Sequence, residues 1–254
     1  MHTALCEDNA SSINFCAKKC NSAERCAKKR KCTRKCPKTC DACQASTSVS
    51  PPTSPPSPSP FTCPPTPTFP EPPEDGWTVI QRRGDFGRPA DYFLRNWTDY
   101  KHGFGDPEED FWLGLENIHR LGLGRRQDLL IELEDWEGAK VEVIISDFQV
   151  GDESTAYTVT HSGYKDKIDG RLGRSFPPSG TKFSTIDRDN DSCSCNCAQR
   201  ASGAWWYNAC HQSNLNGLYL RGPHCSYGDG VEWREWRAYY YSLKSTVMRV
   251  RACT

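Results

Sequence analysis

The sequence predicts an α+β fold for its largest segment, residues 76–254. Runs rich in β-branched and aliphatic residues predict strands at 77–80, 129–133 and 140–145, and the stretch 92–100 predicts a short helix. The second half of the segment is dense in Gly, Asn, Asp, Ser and aromatic residues, which favours irregular loops. All eight tryptophans of the chain lie in this segment, so it is the part that can bury a core.

Charge is unevenly distributed along the 254 residues, although the 32 basic and 32 acidic side chains cancel. Residues 1–45 carry ten basic and four acidic residues, and residues 46–75 carry three acidic and no basic ones. The remainder, with 22 basic and 25 acidic residues, does not have the balance of a nucleic-acid-binding domain. No apolar run approaches the roughly 20 residues of a membrane helix, so we expect no membrane span.

The fifteen cysteines indicate an oxidising compartment, because disulfides persist outside the cytosol. We therefore expect a secreted, extracellular protein, although the first residues lack the pattern of a signal peptide. An odd number of cysteines leaves at least one that is free or joined to another chain.

Residues 1–45 are predicted to form a small disulfide-rich, basic module, because eight cysteines fall between Cys6 and Cys43 and few apolar residues accompany them. The closing spacing Cys36-x3-Cys40-x2-Cys43 resembles the ShKT family of small disulfide-linked helical modules. That family has fewer cysteines, so the pairing between Cys6 and Cys43 stays open. A cluster binding Zn²⁺ or a softer metal is an alternative, as is a channel-blocking module of a venom component.

Residues 46–75 predict a disordered linker. Twelve prolines and eleven Ser or Thr residues fill most of the stretch 46–73, a composition that cannot bury a core and favours an extended polyproline II spacer. The same composition is typical of O-glycosylated stalks. Cys63 is alone in this linker, which makes it a candidate for joining chains into a homo-oligomer.

Six motifs between residues 76 and 217 decide the expected fold of the last segment. They are GWTVIQRR at 76–83, YKHGFG at 100–105, FWLGLENIH at 111–119, FSTIDRDND at 183–191, GAWWY at 203–207 and CHQSNLNG at 210–217. In content and order they resemble the fibrinogen-related C-terminal domain family. Within that family they resemble the ficolin-like and tachylectin-5-like lectins. The resemblance implies an antiparallel sheet with a loop-rich ligand and calcium subdomain, and a binding function without catalysis.

The loop containing Asp187, Asp189 and Asp191 is the candidate calcium site. Ca²⁺ takes about 6–8 oxygen ligands, and alternating carboxylates can supply several of them. The resemblance implies side-chain oxygens from Asp189 and Asp191 and backbone carbonyls from Cys193 and Cys195, with Asp187 hydrogen-bonded inside the loop. The alternative is an acidic surface turn without an ion.

Within residues 76–254, glycosylation sequons begin at Asn96 and at Asn190. A glycan on Asn190 would obstruct the calcium loop, so we expect this residue to be unmodified and Asn96 to be the acceptor.

The resemblance also implies a pocket for acetylated sugars such as N-acetylglucosamine. Its members would be Cys210, His211, Tyr227, Gly228 and Tyr239. It further implies a disulfide between Cys197 and Cys210 and a cis peptide bond between Ala209 and Cys210. Ala201 stands where relatives carry an aromatic residue, so the slot for the acetyl methyl group should be wider.

The sequence therefore predicts a secreted, calcium-dependent, lectin-like recognition protein of innate immunity. The alternatives are a receptor-binding or matrix fibrinogen-like ligand, or a venom component acting through its cysteine-rich module. A Cys210–His211 nucleophile is not expected, because a disulfide-bonded sulfur is no thiolate. The pairing of the four additional cysteines stays open: Cys193, Cys195, Cys225 and Cys253.

Overall fold

The computed structural model describes residues 76–168 and 170–253. The predicted cysteine-rich module, the linker and Cys63 all lie outside these ranges. Along the described ranges, no helix has the length and apolarity needed to cross a membrane.

The described residues form short helices and a larger number of strands, most of which are short. The strands are β1 (Thr78–Arg83), β2 (Phe104–Gly105), β3 (Phe111–Trp112), β4 (Gln127–Glu134), β5 (Lys140–Ser146), β6 (Gln149–Val150), β7 (Val159–Thr160), β8 (Gly163–Asp166), β9 (Ser213–Asn214), β10 (Gly222–Pro223), β11 (Glu232–Trp233), β12 (Tyr241–Ser242) and β13 (Ser245–Ala252). The α-helices are α1 (Trp97–His102), α2 (Leu115–Gly122), α3 (Cys197–Arg200) and α4 (Arg234–Arg237). Two 3₁₀ turns lie at Glu153–Thr155 and Leu172–Ser175.

Seven strands form one antiparallel sheet in the order β2-β3-β1-β13-β4-β5-β8. The three strands predicted from composition are confirmed as β1, β4 and β5, and β13 near the end of the chain lies between β1 and β4. Buried and partly exposed residues alternate along β4, which places one face of the sheet against the core. Ile80, Ile131, Val143 and Met248 on four adjacent strands are fully buried.

The predicted helix at 92–100 begins later than expected, at Trp97. Asn96 has extended backbone angles, and its Oδ1 accepts a hydrogen bond from the Asp99 amide at 2.9 Å, which makes it the N-cap. Residues 90–93 instead form a turn. The stretch before Asn96 is therefore not helical, because a capping side chain starts the helix at the next residue.

An aromatic cluster joins the sheet to the loop-rich half. The ring of Phe183 lies 6.0 Å from that of Trp112 and 5.2 Å from that of Trp206, and all three side chains are buried. Trp206 Nε1 donates to the Tyr157 carbonyl at 2.8 Å and Trp112 Nε1 to the Tyr100 carbonyl at 3.0 Å. Apart from the four-residue helices α3 and α4, the chain between residue 183 and β13 contains only two-residue strands. This part is loop-rich, as the composition predicted, and the aromatic cluster and its hydrogen bonds hold it in place.

Candidate ligand and calcium site

The candidate ligand pocket is built on the loop that follows α3. Asn196 caps this short helix, its Oδ1 accepting from the Gln199 amide at 2.8 Å, and a disulfide joins Cys197 to Cys210. Between the two cysteines, Trp205 and Trp206 are buried in the core. The predicted disulfide is present, and the peptide bond between Ala209 and Cys210 is cis, as the resemblance implied.

The structure brings the five predicted pocket residues together around one cavity of about 280 Å³. The described residues that line it are Cys193, Arg200, Ala201, Ala209, Cys210, His211, Tyr227, Gly228 and Tyr239. Ala201, the residue expected to widen the pocket, is among them and is buried. Residues 210 and 239 are far apart in the sequence, so the cavity is a product of the tertiary fold.

Hydrogen bonds connect three of these residues. Tyr239 Oη donates to the His211 carbonyl at 2.8 Å, and the Gly228 amide donates to the Tyr239 carbonyl at 3.1 Å. His211 Nε2 lies 2.9 Å from the Gly228 carbonyl, which can only accept, so Nε2 carries the proton. Burial lowers the pKa of His211 to about 4, so the ring is neutral at physiological pH.

The rim of the pocket is aromatic. Tyr227 is 60% exposed, and its ring centre lies 4.8 Å from that of Tyr239 and 5.5 Å from that of Tyr240. His211 packs edge-on against Tyr239 with the ring centres 5.7 Å apart. Exposed aromatic faces beside a polar backbone suit a ligand that has both apolar and hydrogen-bonding groups.

Several lining residues were not predicted from the sequence. Arg200 is the last residue of α3 and directly precedes Ala201, so its position next to a predicted wall residue was a usable signal. A second cavity of about 320 Å³ shares Ala209, Cys210, His211 and Tyr239 with the first and is also lined by Arg174 and Arg234. No sequence signal marked these two arginines, because only the fold brings them beside the pocket.

The acidic loop is ordered by hydrogen bonds to its own carboxylates. Asp187 Oδ1 accepts from Thr185 Oγ1 at 2.7 Å, inside the loop as expected, and also from the Trp97 amide of α1 at 2.9 Å, outside it. Asp191 accepts from the Cys193 and Cys197 amides, both at 2.8 Å. Asp189 is exposed and accepts from the Asp191 amide at 3.1 Å.

The donor set of this loop fits a hard cation. Asp189 and Asp191 are close enough to interact, and burial together with the neighbouring Asp189 raises the pKa of Asp191. Within residues 76–168 and 170–253, neither carboxylate has a Lys or Arg partner, and the carbonyls of Cys193 and Cys195 accept no hydrogen bond. Two unneutralised carboxylates and two available carbonyls are oxygen ligands of the kind that Ca²⁺ prefers.

The sulfur atoms near the loop are not metal ligands. Cys193 is bonded to Cys195 and Cys197 to Cys210, so no thiolate is present among these four residues. Cys253 is exposed, and the pKa of its thiol is raised by partial desolvation and by nearby carboxylates, Asp128 first among them. Of the four additional cysteines whose pairing was left open, Cys193 and Cys195 thus pair with each other.

Asn190 and Asn96 lie in different surroundings. Asn190 Nδ2, the atom that would carry a glycan, donates to the Phe183 carbonyl at 2.8 Å. Asn96 is exposed and uses only its Oδ1 for the α1 cap. These contacts favour Asn96 over Asn190 as the acceptor.

Comparisons with known proteins identify the class of domain. Residues 71–253 match the family of the fibrinogen beta and gamma chains, C-terminal globular domain. The chain therefore belongs to the fibrinogen C-terminal domain family, which confirms the fold class expected from the six motifs.

Three relatives illustrate the range of the family. The chain is 46% identical over 176 residues to Techylectin-5A of Tachypleus tridentatus, covering 69% of this chain and 59% of that protein. It is 43% identical over 181 residues to Microfibril-associated glycoprotein 4 of Homo sapiens, covering 69% of each. Lamprey fibrin D-dimer, solved in complex with the peptide ligand Gly-His-Arg-Pro-amide, matches with a TM-score of 0.61 at 34% identity, covering 69% of this chain and 61% of that one.

Proposed function

We propose that this protein is a secreted, calcium-dependent recognition protein of innate immunity that binds acetylated sugars in the pocket formed by Cys210, His211, Tyr227, Gly228 and Tyr239. The observation that carries the proposal is an available donor inside an aromatic pocket. Among the described residues, no acceptor takes the backbone N–H of Cys210, which lines the cavity. Similarity to a protein named a techylectin supports the lectin assignment, and the two disulfides support secretion.

An acetamido group matches this pocket chemically. Its carbonyl oxygen needs a donor, which the Cys210 amide supplies, and its methyl group needs an apolar contact, which the rings of Tyr227 and Tyr239 supply. Because the His211 ring is neutral, it adds no positive charge beside the Cys210 amide that would favour a carboxylate over an amide, although Arg200 also lines the cavity. The group recognised is thus the acetyl amide, with the sugar ring lying toward the exposed Tyr227.

Replacing Tyr239 by Ala should weaken N-acetylglucosamine binding by about 1–3 kcal/mol, because it removes an apolar wall and the hydroxyl that holds the His211 carbonyl. Tyr239→Phe keeps the wall and should lose less. The measurement is a calorimetric titration of N-acetylglucosamine and glucosamine in the presence of calcium. Equal affinity of the wild type for both sugars would refute acetyl recognition.

Ala201→Phe should sharpen selectivity for the acetyl group. A ring at this position would fill the slot beside the methyl group, and a hydrophobic pocket distinguishes ligands by about 1–3 kcal/mol per methylene. Titrating N-acetyl and N-propanoyl glucosamine against wild type and variant tests this. A variant that binds both analogues as the wild type does would show that residue 201 does not limit the acyl chain.

We further propose that Asp189 and Asp191, with the carbonyls of Cys193 and Cys195, hold Ca²⁺. A bound ion would neutralise the paired carboxylates and fix the loop that leads into α3 and the disulfide. Asp189→Ala should abolish the rise in melting temperature that calcium gives the wild type, since a ligand at 100 times its Kd stabilises the native state by about 2.7 kcal/mol.

The control for the calcium experiment is Asp85→Asn, which changes an exposed carboxylate paired with Arg221. This variant should respond to calcium and to chelator as the wild type does. If chelator changes neither the melting temperature nor sugar binding of the wild type, the loop is an acidic turn without an ion.

Recognition of repeated surface glycans would be strengthened by a homo-oligomer, because linked sites can raise apparent affinity by about 10²–10⁴. We assign the link between chains to Cys63. Cys63→Ser should convert a disulfide-linked species to a monomer on a non-reducing gel, whereas Cys253→Ser, at an exposed thiol of the described domain, should not. A wild type that already migrates as a monomer would rule out the link.

A protein ligand is the second candidate function, because the similar lamprey fibrin structure contains a bound peptide. A matrix or receptor-binding protein would use the same face of the domain for a peptide. Competition distinguishes the two functions: Gly-His-Arg-Pro-amide should not displace bound N-acetylglucosamine if the pocket is a sugar site, and should displace it if the pocket is a peptide site.

A further inference from the structure

A cluster of three side chains of metal-ligand type lies on the loop that carries Tyr227 and Gly228 and at the start of β11, which follows this loop. His224, Asp229 and Glu232 place one ring nitrogen and two carboxylate oxygens within 4.8 Å of one another. The His224 side chain is 8% exposed and that of Glu232 is 0% exposed. Within the described ranges, neither carboxylate pairs with Lys or Arg, and His224 is their one ion-pair partner.

The hydrogen bonds around His224 determine which ring nitrogen carries the proton. Ser226 Oγ donates its hydrogen to Asp229 Oδ1 at 2.6 Å, because a carboxylate can only accept. The same Oγ lies 3.3 Å from His224 Nδ1, and the Ser226 carbonyl lies 3.0 Å from it, so both neighbours of Nδ1 are acceptors. Nδ1 is therefore the protonated nitrogen, and in the neutral ring Nε2 has a free lone pair.

That lone pair faces a buried carboxylate. His224 Nε2 lies 3.4 Å from Glu232 Oε1, which also accepts from the Gly230 amide at 3.1 Å. Among the described residues, neither Nε2 nor the second oxygen, Glu232 Oε2, has a hydrogen-bond partner. Two acceptors facing each other in a buried position are stabilised when a proton or a metal cation lies between them. A tetrahedral metal with bonds of about 2.0–2.1 Å separates its ligand atoms by about 3.3 Å, which matches the spacing of these two atoms.

We propose that His224, Asp229 and Glu232 form a binding site for a divalent transition metal of the zinc type. Nδ1–H bonded to a backbone carbonyl with Nε2 left for the ion is the arrangement that orients metal-binding histidines, and Ser226 supports the Asp229 carboxylate in the same way. A nitrogen ligand distinguishes this site from the all-oxygen calcium loop. The bound ion fixes residues 224–229, and with them the pocket residues Tyr227 and Gly228.

The direct test is a titration of the full chain with Zn²⁺ in excess Ca²⁺, which keeps the calcium loop saturated. Glu232→Gln and His224→Gln should each weaken one zinc-binding event by more than about 100-fold, and Ser226→Ala by about 10- to 100-fold, the cost of outer-shell changes. Asp85→Asn should bind zinc as the wild type does. Cobalt bound at this site should give ligand-field bands without sulfur-to-metal charge transfer, which separates it from any cysteine site.

Two controls keep the proposal testable. Without metal, Glu232→Gln should be at least as stable as the wild type, because a buried charge is removed, so loss of zinc binding in a folded variant reports the site itself. Cys225→Ser should retain binding. The proposal is overturned if no zinc-binding event of the wild type depends on Glu232 and His224, or if Cys225→Ser abolishes it. Either result would leave His224 and Glu232 as a proton-linked pair.

Discussion

Replacing Arg83 by Met should lower the free energy of unfolding by about 3–5 kcal/mol, the cost of breaking a buried ion pair. Arg83 is 1% exposed, and burial lowers its pKa to about 10, which leaves it charged at neutral pH. Its Nη1 donates to the carbonyls of Leu215 and Gly217 at 3.1 and 2.9 Å, and its Nε lies 3.6 Å from Asp110 Oδ1. Methionine would leave the carboxylate and a carbonyl buried without this partner.

The matched control is Arg249→Met. Arg249 lies on the neighbouring strand β13 and pairs with Glu132, but both side chains are partly exposed, so the change should cost about 1 kcal/mol or less. Adding Asp110→Asn to Arg83→Met should recover part of the loss, because the unpaired charge is removed. Urea unfolding measures all three variants. A loss in Arg83→Met no larger than in Arg249→Met would mean that neither the buried pair with Asp110 nor the hydrogen bonds of Arg83 to the 215–217 loop stabilise the domain.

Acidification should destabilise the domain by about 3 kcal/mol through His211 alone. Its pKa is about 4 in the folded protein, against 6.5 for the unperturbed ring, because burial disfavours the imidazolium. Between these two pH values the unfolded chain binds the proton and the folded one does not. The contribution of the neutral His211 ring to stability is therefore complete above pH 6.5 and is lost as the pH falls through 4. Each pKa unit corresponds to about 1.4 kcal/mol.

His211→Gln isolates this effect. Glutamine does not titrate, so only the wild type loses this contribution. The unfolding free energy of the wild type minus that of the variant should therefore fall by about 3 kcal/mol between pH 7 and pH 4. Other acidic and basic groups contribute equally to both proteins and cancel in the difference. A difference that is independent of pH would show that the His211 ring is not kept neutral by the fold.

Local patterns predicted much of the domain. The strands β1, β4 and β5 were predicted because β-branched and aliphatic residues mark them along the chain. The loop-rich half was predicted because it is dense in Gly, Asn, Asp, Ser and aromatic residues. The start of α1 was missed because the capping hydrogen bond that Asn96 Oδ1 accepts from the Asp99 amide outweighed the helical tendency of the preceding residues. The order of six motifs predicted the family, and the match over residues 71–253 confirms it.

In the candidate site, too, some features could be predicted from local sequence and others only from the tertiary structure. The acidic loop is contiguous, so the sequence alone predicted that Asp189 and Asp191 lie close together, and their role as calcium ligands remains our proposal. The pocket draws residues from Ala201 to Tyr239, and the neighbouring cavity adds Arg174 and Arg234, which only chain folding brings together.

Protonation was likewise decided by the tertiary structure. The sequence determined that His211 and His224 are present, but burial of the first lowers its pKa, and the contacts of Ser226 fix the tautomer of the second. Desolvation and hydrogen-bond direction depend on neighbours from distant parts of the chain, which the order of residues does not specify.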